Sequence, residues 1–337
     1  MPNKITSTAP TRIDFAGGTL DIYPLFLYVG NSRTINAAID LNAQVVIKLR
    51  SDKKITIKSI DTGAYLEADN IDALPKDGPL SLITRVLLYY RPEEGMDIET
   101  TLAPPHGSGL GASSALYVAL THAVSAWMDK PRDPEKLIRT SNHLEAQLMG
   151  MPAGTQDYYP PTYGGIKAIH YELEDIWCEH LEISGDFISL LNEHLIVSYT
   201  NMTHHSGTTN WTYMRNFFDK VPATVTAMHK IKEIADETYE AFKAHDIKAI
   251  SKALDDEWSF RKTLSDEVTN DEIELMMTAA IKAGAWSNKL CGAGGGGCMI
   301  TLAPPDKKEA VIKALEANGA TWMHTSLARD GVKVVIE

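Results

Sequence analysis

The sequence predicts an α+β protein built from two domains. Three observations carry this reading. The chain has 337 residues, enough for two separate cores. Both halves mix stretches of alternating apolar residues, as in half-buried strands, with apolar residues at helical spacing. The texture changes after Gly164-Gly165, so the boundary falls between Gly165 and His194. We draw it as domains 1–185 and 186–337. Neither half contains an internal repeat or a low-complexity tail.

The first fifty residues read as strand, tight turn, short helix and strand, with Ile13 and Phe15 alternating before AGGTLD breaks the pattern. AQVVIKL and KKITIKS flank Arg50-Ser51-Asp52 and predict a β-hairpin. SLITRVLLYY predicts a helix, and DIETTL a strand running into Pro104-Pro105. Helices follow over 113–129 and 133–149, the second with Asp133 as cap and Pro134 at its first position. HLIVSYT predicts a buried strand. From Pro222, Val225, Met228, Ile231, Ala235, Tyr239 and Phe242 recur at helical spacing. Thr269 with Glu272 predicts a capping box opening a helix to about Ala283. A second glycine cluster, KLCGAGGGGCMITLAP, then leads to a strand, a helix over about 306–317 and a last strand, KVVIE.

Composition narrows the function. The chain is 44% hydrophobic and 23% charged, ordinary for a globular protein, with a net charge of −12. That balance argues against a nucleic-acid surface, but a local cluster of donors could still hold a phosphate. Three cysteines, Cys178, Cys291 and Cys298, fit a reducing compartment rather than a disulfide framework, and their spacing fits no common zinc pattern. The first residues lack a signal-peptide apolar region, and no run reaches membrane-span length. A cytoplasmic protein with no membrane or nucleic-acid partner is therefore expected. The Asn201 and Asn210 glycosylation patterns are read as chance. The oligomeric state stays open, a homodimer included.

PPHGSGLGASSAL, from Pro104 to Leu116, sits between a strand and a helix. The first N–H groups of a helix have no internal partner, and the helix dipole adds positive charge there, so such an end attracts phosphate. Glycine lets the loop take positive φ and come close to an anion. Serines add hydroxyl donors, or oxygen ligands for a cation. The loop lacks the lysine of a Walker motif. Ala112 stands where a dinucleotide fingerprint needs its last glycine. A nucleotide-dependent oxidoreductase is weakened accordingly.

In this stretch Pro105, Gly109, Leu110, Gly111, Ser113, Ser114 and Ala115 match in order the second motif of the GHMP small-molecule kinases, P-x-x-x-G-L-G-S-S-A, with Ala112 interposed. PTRIDFAGGTLD resembles the first motif of that family, and KLCGAGGGGCMI the third. The three motifs come in the family's order across nearly the whole chain. RIDFAGG is most similar to the branch of heptose-phosphate kinases and fucokinases. The resemblance implies an N-terminal domain like ribosomal protein S5 domain 2 and a ferredoxin-like C-terminal domain. It also implies transfer of the γ-phosphoryl group of ATP, with Mg2+, to a hydroxyl of a sugar or sugar phosphate of heptose 7-phosphate or hexose type.

The resemblance then assigns roles. Pro105, Gly107, Ser108, Gly109, Leu110, Gly111, Ala112, Ser113 and Ser114 would hold the nucleotide. Ser114 and Glu145 would hold magnesium, although by residue type alone Glu145 reads as a surface helical glutamate. Asp157 would accept the acceptor's proton or orient its hydroxyl, and Arg12 would stabilise developing charge. Gly17, Gly18, Asp21 and Asp157 would bind the sugar. The third motif is expected to pack near the phosphate loop. His204, His205 and Ser206 are expected at the cleft, but neighbours on a strand do not converge on one metal. Other readings are a catalytically inactive sugar sensor on the same fold, a kinase of a non-sugar alcohol such as mevalonate, and an ATP-consuming decarboxylase related to it.

Overall fold

The structure, a computed structural model, describes residues 4–130, 133–203 and 206–337. The His204–His205 pair, expected at the cleft, lies outside the described residues. In chain order the first part comprises β1 (Lys4–Ala16), α1 (Leu25–Val29), β2 (Ser32–Leu49), β3 (Ile55–Ser59), β4 (Tyr65–Ala68), α2 (Ser81–Tyr90), β5 (Met96–Leu102), α3 (Ala112–Trp127), α4 (Pro134–Met149), α5 (Tyr159–Tyr163), β6 (Ile166–Tyr171) and β7 (Ile176–His180). There follow α6 (Gly185–His194), β8 (Leu195–Tyr199), α7 (Ser206–Phe218), α8 (Pro222–Lys243), α9 (Ile247–Arg261), α10 (Asp271–Ala283), β9 (Ser287–Leu290), β10 (Cys298–Leu302), α11 (Lys308–Ala317), β11 (Thr321–Met323) and β12 (Lys333–Ile336).

Two sheets organise these elements. The larger has the path β12-β1-β2-β5-β3-β4, with β6 pairing β2 and β7 pairing β6. The smaller is β11-β8-β10-β9, antiparallel throughout. The chain end does not stay with the smaller sheet: β12 pairs antiparallel with β1, Ile5 facing Ile336. Strand β1 is therefore interior over Ile5–Thr8; at Arg12, beyond the reach of β12, its other edge meets the glycine loop, with Arg12 N–H donating to Leu110 O at 3.0 Å.

Two local expectations are corrected. The stretches 43–49 and 55–59 do form strands but not a hairpin, because β5 lies between them, antiparallel to β2 and parallel to β3. The Arg50–Lys54 turn must span one extra strand. It does so by bonding to the start of β5: Arg50 N–H donates to Gly95 O at 3.0 Å and Met96 N–H to Lys54 O at 2.9 Å. Helix α10 is capped by Asn270, whose side chain accepts from Ile273 N–H at 2.9 Å. Thr269 instead bonds Glu274 at 2.8 Å. Asp133 caps α4 as expected, accepting from Glu135 N–H.

Helix α3 fixes the phosphate-loop region. It is buried from Ser114 to Ser125 without a break. A helix buried on every side must satisfy its own polar groups, and Thr121 does so by donating to Tyr117 O at 2.7 Å. One core cluster lies between α2, α3 and the larger sheet. A second joins α8, α10 and α11 to the smaller sheet. A third crosses between them, bringing Ile13, Phe15 and Leu110 against Phe242, Cys291 and Ile300. Phe15 and Phe242 meet edge to face at 5.0 Å. Burying a side chain of that size contributes about 1.5–3 kcal/mol, so the junction of the two sheets is itself a core.

Candidate active site

The loop from Pro105 to Gly111 is shaped by three glycines at positive φ: Gly107 (70°), Gly109 (70°) and Gly111 (67°). Gly111 is the residue before α3 and makes no side-chain cap, so the first N–H groups of the helix are left open. They face a cavity of about 690 Å³, to which Gly107, Ser108, Gly109, Gly111, Ala112 and Ser113 all contribute. Pro105, Leu110 and Ser114 are not part of its wall. Leu110 turns its side chain into the core between the sheets and accepts from Arg12 N–H at 3.0 Å, so any contact it makes with a ligand belongs to its backbone.

The third glycine motif packs on this loop, as expected. Cys298 N–H donates to Ser108 O at 2.6 Å. A Cβ at Gly297 would lie 2.7 Å from the same carbonyl oxygen, and one at Gly292 would lie 3.3 Å from Gly109 O. Glycine is required here because two backbones touch.

Arg12 and Asp157 meet at the floor of the cavity. Arg12 Nε and Nη2 donate to Asp157 Oδ1 at 2.8 and 2.6 Å, and Nη1 donates to Gly109 O. The second carboxylate oxygen, Oδ2, has no hydrogen-bond partner among the described residues, and the Asp157 side chain is 26% exposed. Burial works against the Arg12 charge, but Asp157 and Asp14 outweigh it and hold the guanidinium protonated. A Cβ at Gly111 would stand 3.5 Å from the Asp157 carboxyl carbon, so the start of α3 and the acid share one point in space.

Asp21 is joined to the same segment. Its Oδ2 accepts from Gln156 N–H at 3.1 Å, and its carbonyl accepts from Thr155 Oγ1 at 3.0 Å. Gly154 has no room for a side chain, since a Cβ would lie 2.4 Å from that carboxylate. Burial, helped by the charge of Asp157, pushes the Asp21 carboxyl up to about 6. Asp21 and Thr19 line the cavity, whereas Gly17 and Gly18 do not. The close approach that these two glycines permit is by the protein itself. A Cβ at Gly17 would strike the Arg33 carbonyl oxygen at 2.0 Å, and one at Gly18 would crowd Asp14 and Arg261.

Glu145 projects from α4 onto the start of α3. Ser113 Oγ donates to its Oε1 at 2.7 Å and Ser114 Oγ to its Oε2 at 3.1 Å; the Tyr158 hydroxyl donates to the same Oε2. It is therefore not a free surface glutamate. Burial pushes its carboxyl up, against the pull of these hydroxyls. Among the described residues no three His, Cys, Asp or Glu side chains form a ready metal cage. The donor set at Glu145 is nevertheless all oxygen, one carboxylate with serine hydroxyls, which suits a hard cation that keeps water and phosphate ligands.

Four buried charges went unread in the sequence: Asp14, Glu257, Arg261 and Lys289, all with fully buried side chains. A signal was present. Ile250, Leu254, Trp258 and Arg261 share the buried stripe of α9 with Glu257, so two charges stand on an apolar face. Asn210, on α7, also borders the cavity.

Known proteins resemble this chain along nearly its whole length. Residues 81–165 match the GHMP kinases N terminal domain, and residues 238–321 the GHMP kinases C terminal domain. A D-glycero-alpha-D-manno-heptose 7-phosphate kinase of Campylobacter jejuni is 30% identical over 335 residues, covering 98% of each chain. A mevalonate kinase of Pyrococcus abyssi is 27% identical over 361 residues, covering 99% of this chain and 98% of its own. The crystal structure of a D-glycero-D-manno-heptose 1-phosphate kinase from Bacteroides thetaiotaomicron superposes with a TM-score of 0.82 at 25% identity, with 99% of each chain covered. Among the described residues no helix is long and apolar enough to cross a membrane. Three glycine motifs in order, folded onto one cavity and matched along the whole chain, have one explanation: the chain belongs to the GHMP kinase family, and it is a phosphotransferase acting on an alcohol group.

Proposed function

We propose that this enzyme transfers the γ-phosphoryl group of ATP to a hydroxyl of a sugar or sugar phosphate, of heptose 7-phosphate or hexose type. The observation that carries the reading is the Arg12–Asp157 pair at 2.6 Å, set beside Gly111 in the cavity that also reaches Asp21. Phosphoryl transfer depends chiefly on positioning and charge stabilisation, and each part has a residue for it.

The open N–H groups at the start of α3, with the glycine loop before them, would receive the terminal phosphates. Asp157 Oδ2 faces the acceptor hydroxyl and takes its proton or orients it, while Oδ1 stays locked by Arg12. The Arg12 guanidinium neutralises charge that develops during transfer. Asp21 accepts hydrogen bonds from sugar hydroxyls. Ser114 and Glu145 would hold Mg2+, which when bound neutralises phosphate charge. We assign residues 1–185 to the nucleotide-binding domain and 186–337 to the second, with β12 returning to the first sheet. The protein is placed in the cytoplasm, acting on a small molecule.

The name of the Campylobacter jejuni relative supports a heptose phosphate as acceptor, and the first motif supports a sugar over mevalonate. The test is ADP release with MgATP over a panel of heptose 7-phosphate, fucose, galactose and mevalonate, with the product position read by phosphorus NMR. Turnover of a sugar supports the proposal. Turnover of mevalonate alone refutes the acceptor class. Tight sugar binding without ADP release means an inactive sensor.

A further inference from the structure

Helix α9 belongs to the second half of the chain, yet its last residue holds the first motif in place. Arg261 is fully buried. Its Nη2 donates to Gly18 O at 2.8 Å, and its Nη1 to Thr19 Oγ1 at 3.2 Å and Gly292 O at 3.4 Å. One planar group thus grips the acceptor loop and the opening of the third glycine motif. Glu257, one turn earlier, aims it, accepting at 2.6 Å. Lys289 lies 3.2 Å from the other Glu257 oxygen and donates to Asp14 Oδ2 at 2.5 Å. Asp14 Oδ1 in turn accepts from Gly292 N–H at 2.9 Å. The four side chains form a neutral chain of alternating sign.

Buried ion pairs contribute little net stability against their desolvation, whereas a guanidinium fixes several acceptors in one plane. Arg261 reaches the acceptor loop from behind: Thr19 and Asp21 face the cavity, and Arg261 does not. Gly18 leaves the space this needs, since a Cβ there would stand 3.1 Å from Arg261 Nη2.

We propose that Arg261 is a positioning residue for the acceptor, holding the Gly18–Asp21 loop so that Thr19 and Asp21 meet the sugar. This rests on the kinase reading given above. The ATP side depends on it less, because its bond to Gly292 is the longest of the three.

The experiment is Arg261→Lys, which keeps the charge beside Glu257 but cannot span Gly18 and Thr19 together. Steady-state ADP release is measured with D-glycero-D-manno-heptose 7-phosphate, or with the panel sugar that the parent turns over, alongside a thermal melt. The expected result is an acceptor KM raised about 10-fold, with kcat and the KM for ATP within about 3-fold and the melt nearly unchanged. A folded variant with unchanged acceptor KM overturns the proposal, as does an equal rise in both KM values. Should Arg261→Lys fail to fold, the neutral pair Arg261→Gln with Glu257→Gln takes the same readout. Failure of both to fold also overturns it, by making the contact a condition of folding. A parent without ADP release refutes the kinase reading itself, whereas an active parent beside an unmoved variant refutes only the role of Arg261.

Discussion

Replacing Asp157 by asparagine tests the centre of the site. The amide oxygen can still accept from Arg12, so the lock survives while the charge and basicity are lost. Asp157 is 26% exposed, and Asp14 Oδ1 remains 3.8 Å from the guanidinium, so Arg12 is not stranded. Removing one partner of a fully buried pair costs about 3–5 kcal/mol. Solvent access and the remaining acid reduce this to about 1 kcal/mol, or a melting shift of a few degrees. Loss of a group acting in proton transfer costs at least ~10²-fold in rate, near 2.7 kcal/mol of barrier. The expected outcome is therefore a folded protein whose kcat falls by at least ~10²-fold while its KM for ATP stays within a few-fold. Coupled ADP release with a melt on the same preparation reads both. A folded Asp157→Asn variant with the parent's kcat would show that another group handles the acceptor hydroxyl.

Glu145→Ala should raise the magnesium concentration needed for half-maximal rate by about 10-fold, and superimposed titrations of variant and parent would remove Glu145 from the metal site. With its carboxyl at about 6, Asp21 should make kcat/KM for the acceptor fall about tenfold per pH unit below about pH 6, and Asp21→Asn should abolish that inflection. The sign for stability is the opposite of a salt-bridged acid. The folded state holds the Asp21 proton more tightly than the ordinary value of 3.8, so this group makes the fold less stable as pH rises from about 4 to about 6. Asp21→Asn should accordingly raise the melting temperature at pH 7.5 and leave it nearly unchanged at about pH 4. Gly297→Ala should destabilise the fold by about 1–3 kcal/mol and weaken ATP binding, because its φ of 82° is strained for alanine and its Cβ would press on Ser108 O at 2.7 Å; an unchanged melt would mean that the loops can part without loss.

What the sequence made legible follows the range of the interactions involved. Local signals held well: α3 came from an apolar run, α4 from Asp133-Pro134, and β8 from a short apolar run. The hairpin failed because strand pairing is non-local, and nothing in Arg50–Lys54 says that β5 must enter between its flanks. Thr269 failed as a cap because Asn270, one residue on, has the better acceptor for α10. The glycines were readable as loops, but not for the reason each is glycine: Gly17 and Gly18 make room for Arg33 and Arg261, which are distant in sequence. Asp14 and Lys289 escaped because a charge on a strand reads as solvated until its partners are known.

The acids of the site divide by what neutralises them. Asp14 sits among Lys289, Arg12 and Arg261; burial alone would raise its carboxyl, yet these cations outweigh burial and hold it below the usual range. Glu257 lies between Arg261 and Lys289, and Asp157 against Arg12. Three acids and three cations thus balance inside the protein. Asp21 and Glu145 form no ion pair among the described residues, and burial pushes both upward. A buried acid without a cation destabilises the empty fold. Such a group is retained where something bound supplies the missing partner. Sugar hydroxyls would do so at Asp21, and a divalent ion at Glu145. On this argument ligand binding relieves a cost the fold already carries, so the acceptor and MgATP should each raise the melting temperature of the parent. The acceptor's effect should shrink in Asp21→Asn, where the unpaired charge is already gone.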